Sequence, residues 1–233
     1  MYGITYNNKH SFNDLGLTIL NTRVIETPSK IKVTQTIPFS NITYDFSNLY
    51  GSNCYTERKL EYEFLIKADN NMSLEFKRME IENWLLSSNT KTKLLDDNIP
   101  DYYYLAECES VEFEDLNNIG KLKAIFIAYP FRISEHYEGN NLWDSFNFEL
   151  DILQDTKFTV NDVLNVSIYN HSSIDIDHVV VASSQFEVIK DNISYLFEAG
   201  ESKNYRFKFK PGVNNLTLKG NGTIEFKFRK EVL

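Results

Sequence analysis

"KLEYEFLIKA" (residues 59–68) alternates without a break, and that period of two decides the reading of the chain. Leu60, Tyr62, Phe64 and Ile66 fall on one face, with Glu61, Glu63, Leu65 and Lys67 on the other. Successive side chains of a strand point to opposite sides, so this is a half-buried β-strand. The same device recurs outward from it. "GKLKAIFIAYPFRI" (120–133) predicts a strand from Leu122 to Ala128 that breaks at Pro130. "DSFNFELDI" (144–152) sets Phe146, Phe148 and Leu150 against Asn147, Glu149 and Asp151. "NYRFKFK" (204–210) turns Tyr205, Phe207 and Phe209 inward, and "TIEFKFRKEV" does so with Ile224, Phe226 and Phe228.

One helix interrupts the strands. In "SLEFKRMEIENWLLSS" (73–88) Ser73 reads as the N-cap, and Glu75 places negative charge in the first turn. Phe76, Met79, Asn83 and Leu86 follow one helical row, and Ile81, Trp84 and Leu85 widen the face expected to be buried. A methionine and aromatic stripe at this spacing reads as packing rather than as a cofactor site. In the second half "EAGES" (198–202), "KPGVNN" (210–215) and "KGNGT" (219–223) read as turns between strands. Strands separated by such turns predict a sandwich or barrel. Pro130 and the polar run "SEHYEGNN" (134–141) mark a boundary. The expected organisation is mainly β with two domains, 1–133 carrying the helix and 134–233 forming a sandwich. Trp143, Phe146 and Phe148 begin the core of the second.

Composition bounds the function. The chain has 233 residues, 14% aromatic, and a formal net charge of −9, which argues against a grip on nucleic-acid phosphate. The N-terminal stretch has neither a basic nor an apolar signal region, so no secretion signal is expected, and no apolar run is long enough to cross a membrane. In that setting Cys54 and Cys108 read as two reduced, buried thiols. The triplets beginning at Asn41, Asn165 and Asn221 then read as coincidental matches to a glycosylation pattern.

Three clusters invite chemistry. "DDNIPDYYYLAECES" (96–110) joins Asp96, Asp97 and Asp101 to three tyrosines. A glycosidase needs two facing carboxylates, one held protonated, and nothing here supplies the second environment. Asp-Asp-Asn and Pro-Asp are turn chemistry instead, and Tyr102, Tyr103 and Tyr104 continue as a strand. "HSSIDIDH" (171–178) offers His171, Asp175, Asp177 and His178 to a metal, but in a strand the two aspartates and His178 point to opposite faces, and the reading is a polar loop entering "VVVA". Arg23, Arg58, Arg132 and the stretch Lys227 to Lys230 are candidates for a partner surface. No nucleophile elbow, P-loop, dinucleotide fingerprint, HExxH or CxxC occurs, so neither catalysis nor a cofactor or metal is expected.

The order of the segments "MYGITYNNKHSFNDLGLTIL", "IPFSNITYDFS" (37–47), "YTERKLEYEF" (55–64), "IENWLLS" (81–87), "DDNIPDYYYLA" (96–106), "AYPFRIS" (128–134), "LWDSFNFELD" (142–151) and "PGVNNLTLKGNGTIEFKFRKEVL" (211–233) resembles the distal tail protein (Dit) family. These are proteins of long-tailed siphophages and prophages of Gram-positive bacteria, and the resemblance covers essentially the whole chain. It implies a hexameric ring at the end of the tail tube, assembled in the bacterial cytoplasm. Such a ring joins the tube protein to tail-tip, baseplate and receptor-binding proteins, and DNA passes through its lumen without specific binding. It also implies that the first domain builds the ring and that the second is a galectin-like sandwich. Tyr102, Tyr103 and Tyr104 then become candidates for the subunit interface, tyrosine being enriched at such surfaces. A sugar-binding sandwich is the alternative. One departure stands out: Phe39-Ser40-Asn41-Ile42 replaces the Gly-rich turn many relatives carry before "YDFS".

Overall fold

The expected strand "KLEYEFLIKA" is present, running from Arg58 to Lys67. The computed structural model describes residues 2–47, 49, 53–68, 70–116, 119–139 and 153–233. It divides the chain into two compact units, Met1–Arg132 with Leu233, and Ile133–Val232. The described strands of the first unit are β1 (Ile4–Tyr6), β2 (Lys9–His10), β3 (Thr18–Ile19), β4 (Val24–Ile25), β5 (Thr34–Thr36), β6 (Thr43–Asp45), β7 (Arg58–Lys67), β8 (Thr92–Asp96), β9 (Tyr102–Leu116) and β10 (Ile119–Ala128), with one helix, α1 (Asn71–Leu86). All but β5 and β6 form one antiparallel sheet in the order β2-β1-β8-β9-β10-β7-β3, with β4 also on β7. Leu60, Tyr62, Phe64 and Ile66 of β7 are buried as the alternation requires. β10 matches them with Leu122, Ala124, Phe126 and Ala128. Its pairing with β9 shifts between Ile125 and Phe126, a bulge that adds a residue to β9 and tightens the local twist.

The outward face of β7 and β10 is a lattice of charge. Lys123 reaches Glu61 at 2.8 Å, Lys59 reaches Glu61 at 2.6 Å, and Lys121 reaches Glu63 at 3.0 Å. Hydrogen bonds from Lys123 and Lys59 hold the Glu61 carboxyl below its ordinary range. These pairs are near the surface and favour this register over a slipped one more than they add stability.

α1 begins earlier than the sequence suggested. Asn70 is the N-cap, its side chain accepting from the Ser73 N–H at 2.9 Å, while the Ser73 hydroxyl accepts from the Asn70 N–H at 3.2 Å. Ser73 is therefore the far half of a capping box, Glu75 lies beyond the first turn, and the helix ends at Leu86 rather than Ser88. The buried face is also rotated from the expected one. Leu74, Ile81, Trp84 and Leu85 pack inward, whereas Phe76 is 64% exposed. The reason is the anchor: the Trp84 indole N–H donates to the Tyr6 carbonyl at 2.7 Å, and the Asn7 side chain donates to the Trp84 carbonyl at 3.0 Å. Fixing Trp84 on β1 turns the Phe76 row outward.

The second unit holds β11 (Arg132–Ser134), β12 (Lys157–Asn170), β13 (Val179–Ala182), β14 (Phe186–Lys190), β15 (Ile193–Phe197), β16 (Gly200–Ser202), β17 (Gly212–Lys227) and β18 (Glu231–Val232). β17 is its spine. It pairs with β12 from Gly212 to Glu225, with β14 through Thr217–Gly220, and with β13 through Ile224–Lys227, giving the order β15-β14-β17-β13-β16. "KGNGT" is thus no turn but the middle of this strand. Gly220 and Gly222 take φ of 149° and 132°, and an added Cβ would come within 2.7 Å of Phe186 and 2.3 Å of Ser183. Glycine lets the strand hand its edge from β14 to β13 without losing the ladder.

"NYRFKFK" differs too. Asn204 accepts from the Arg206 N–H at 3.0 Å and turns the chain, so Tyr205 faces solvent while Phe207 and Phe209 are buried. They surround His178, which stacks on Phe209 at 4.2 Å and meets Phe207 edge-on at 4.7 Å. Burial pushes the His178 pKa from 6.5 down to about 4. The expected strand 144–152, with Trp143, Phe146 and Phe148, lies outside the described residues.

Trp84→Ala should destabilise the first unit by about 3–5 kcal/mol in urea unfolding, whereas Phe76→Ala should change it by no more than about 0.5 kcal/mol. The buried neutral His178 sets a pH dependence. Below 6.5 the unfolded chain takes up a proton that the folded one refuses until about 4, so stability falls as pH drops through that window. The loss attributable to this group is roughly 3 kcal/mol. Unfolding measured from pH 7 to 5, above the range where the carboxylates held low by their partners add their own loss, should show a shallower slope in His178→Phe than in the parent.

Candidate interface surfaces

The acidic half of "DDNIPDYYYLAECES" is structural. The Asp96 carboxylate is buried and accepts from Arg23 at 2.9 Å, from the Tyr62 hydroxyl at 3.1 Å, and from the Asn98 N–H and side-chain amide at 2.9 and 3.0 Å. Asp97 accepts from the Gly3 N–H at 2.9 Å, and Asp101 supplies a turn with φ of 66°. Asp96 is thus spent on a buried network, Asp97 on a backbone contact and Asp101 on a turn; the turn was expected from the sequence, the buried network with Arg23 and Tyr62 was not.

The tyrosines divide. Tyr102 and Tyr103 are half-buried, with the Lys93 ammonium 5.0 Å from the Tyr103 ring. Tyr104 is 1% exposed and leaves the interface candidates: it sits in the core between two guanidiniums and accepts from Arg132 at 2.8 Å. Nor do the arginines line a surface. Arg23 is tied to Asp96, and Arg58 is buried, donating to the carbonyls of Pro130 at 3.0 Å and Glu26 at 3.2 Å. Lys230 is buried as well. In "HSSIDIDH", Asp177 lies 3.3 Å from Lys208 and 3.6 Å from Lys203, and His178 is in the aromatic core. Among the described residues no three candidate ligands meet. Cys54 is exposed, not buried as expected; Cys108 is buried, and burial raises its thiol to about 12.

Two further surfaces are open, one at the turn the sequence marked as a departure and one on the helix row it marked as packing. The first is the hairpin of β5 and β6, paired Thr34 to Asp45, Gln35 to Tyr44 and Thr36 to Thr43. Its base is tied to the body by the Ile31 N–H donating to the Cys54 carbonyl at 2.8 Å. A period of two puts Val33 and Ile37 on one face with Ile42, Tyr44 and Phe46, and all five are exposed. The other face is polar and carries the Lys32–Asp45 pair at 2.7 Å. At the tip Pro38 leads into Phe39, whose φ is 61° and whose ring is fully exposed. A bulky side chain in the left-handed region is strained, and here glycine would relieve it.

The second surface is the outer row of α1. Met72, Phe76, Met79 and Leu86 are 71, 64, 54 and 48% exposed and fall, with Asn83, at spacings of four and three. Beside this row lies a groove of about 450 Å³ floored by Trp84 and walled by Asn7, Lys9, Glu80, Asn83 and Ser87. The signal for both was present: apolar residues alternating at 33, 37, 42, 44 and 46, and a helix with apolar residues on more sides than one contact can bury. In the second unit an open groove of about 530 Å³ runs past Leu196, Glu198, Lys203, Asn204 and the exposed Tyr205.

Comparison with known proteins follows the fold. Residues 11–128 match the family model of the phage tail protein RIFT-related domain. The whole chain superposes on the whole of the crystal structure of the SPP1 Dit protein, described as a paradigm of the hub adsorption apparatus in phages infecting Gram-positive bacteria, with a TM-score of 0.66 at 12% identity. That likeness is one of fold. A chloroplastic acetyl-coenzyme A carboxylase carboxyl transferase subunit beta of Arabis hirsuta is 27% identical over 192 residues, 78% of this chain. The chain spans about a third, 36%, of that protein's length, and the activity in its name is that protein's own.

Proposed function

We propose, from the premise that this chain belongs to the family of phage tail proteins with a RIFT-related domain, that it is the ring-forming hub at the far end of a siphophage tail tube. The observation that carries the reading is the correspondence with a hub protein's fold over the full length of both chains. In this reading the unit Met1–Arg132 builds a hexameric ring against the tail tube protein. The second unit holds tail-tip and receptor-binding proteins. The ring is assembled in the bacterial cytoplasm and has no catalytic part. The hairpin and the outer row of α1 support it, since both leave apolar surface open in a single chain. The net charge of −9 suits a conduit that must let DNA pass without holding it.

Light scattering and negative-stain imaging of the purified chain, alone and with its tail tube protein, test this. Rings of six 27.2 kDa chains are expected in at least one preparation. A monomer in both would overturn the proposal.

A carbohydrate-binding role for the second unit is favoured by one observation, the exposed Tyr205 ring beside the Asn204 and Glu198 side chains in an open groove. Calorimetry against host cell-wall polysaccharide should then give binding that Tyr205→Ala abolishes. No heat with the parent protein would remove this reading and leave the hub untouched.

A further inference from the structure

Resting on the carbohydrate reading of the second unit, we infer that the groove past Tyr205 takes a sugar residue carrying an acid group. The sugar's C–H face lies on the Tyr205 ring, and its carboxylate or phosphate meets Arg206. The loop that displays these two side chains is held at both ends. Asn204 closes the turn, its side chain accepting from the Arg206 N–H at 3.0 Å and its carbonyl from the Phe207 N–H at 3.1 Å. Phe207 and Phe209 then anchor the segment among the buried rings around His178. Tyr205 is 72% exposed on that closed turn. A large ring presented this way is a stacking surface with little left to order on binding.

Charge selects the acid group. Residues 203–210 carry four cations, Lys203, Arg206, Lys208 and Lys210. Lys203 and Lys208 share Asp177, at 3.6 and 3.3 Å, and Lys210 pairs with Asp191 at 2.8 Å. Among the described residues Arg206 is the one of the four with no carboxylate partner, and it is exposed. A guanidinium presents a planar fork of donors that matches a carboxylate or a phosphate. The Lys203 ammonium stands 5.2 Å from the centre of the Tyr205 ring, where a cationic ligand would have to sit. The groove thus disfavours a cation and offers an anion an open guanidinium.

The rest of the lining answers hydroxyls. The Gln185 side-chain amide donates to Glu198 Oε1 at 2.8 Å and fixes that carboxylate beside the groove. The Ser202 hydroxyl, also in the lining, is buried and has no hydrogen-bond partner among the described residues. A carboxylate repels a bare anion but accepts from a hydroxyl, so the lining favours a polyhydroxylated ligand with its acid group at one end. At about 530 Å³ the groove is of the size that small-ligand sites have.

Calorimetry of the whole protein tests this at about 0.15 M salt, where the field of the remaining charge is screened beyond about 8 Å. The probe is polysaccharide extracted from the host cell wall, used native, carboxyl-reduced with carbodiimide and borohydride, or stripped of phosphate with cold hydrofluoric acid. Binding of the native polymer should weaken about tenfold in at least one treated preparation, and the treatment that does so identifies the acid group. Arg206→Gln should weaken the native polymer by the same factor and leave that treated polymer unaffected. Lys157→Gln makes the same change of charge at an exposed site outside the groove, and should leave affinity unchanged. Equal binding of all the preparations, or an equal loss in Lys157→Gln, overturns the acid-sugar inference and leaves the carbohydrate reading standing. Inorganic phosphate binding as tightly as the native polymer overturns it too. No heat with the native polymer removes both.

Discussion

The first unit depends on the strict period of β7. Once Leu60, Tyr62, Phe64 and Ile66 share one face, each neighbour is constrained. β10 must meet them with Leu122, Ala124, Phe126 and Ala128, and a slip of one residue would turn the buried faces out and set the Glu61 and Glu63 carboxylates against the core. The ion pairs on the outer face repeat the same register in charge. Everything that closes the core answers to that face. Tyr6 stacks edge-on against Phe126 at 5.2 Å, and Trp84 bonds the Tyr6 carbonyl, so α1 is aimed by a strand it does not adjoin in sequence.

That aim has a functional consequence. A helix with apolar residues around most of its circumference must leave some of them open when one arc is buried. Trp84 is the residue with a polar handle that finds a partner, and its hydrogen bond selects which arc goes in. The open arc and the hairpin's apolar face stay exposed in the single chain. Its buried polar groups serve turns and anchors: Asp96 holds Arg23 and Tyr62, Arg58 holds two carbonyls, and His178 is an uncharged ring among phenylalanines.

Much of the architecture was legible in the sequence. The mainly β class, the alternation of β7 and β10, the inward Ile224, Phe226 and Phe228, and the turn at Asp96–Asp101 were all read from local pattern, because those features are fixed by near neighbours. Each misreading is a local signal that fits two tertiary settings. Ser73 looked like a cap because capping chemistry is symmetrical within its box, and Asn70 took the other half. "KGNGT" looked like a turn because glycine marks both turns and strands approached closely by another chain segment. Tyr104 looked like a surface aromatic because its period does not say that two arginines will close over it.

The sequence by itself determined the periods: which residues alternate, where a helix replaces a strand, and that the net charge disfavours a grip on phosphate. Tertiary structure alone decided orientation, meaning which arc of α1 is buried, which tyrosine is covered, and that the segment around Phe39 projects as an amphipathic arm with its apolar face open. The reason is that a period defines faces only relative to one another. Which face meets the core is settled by long-range contacts such as Trp84 to Tyr6, 78 residues apart in the chain.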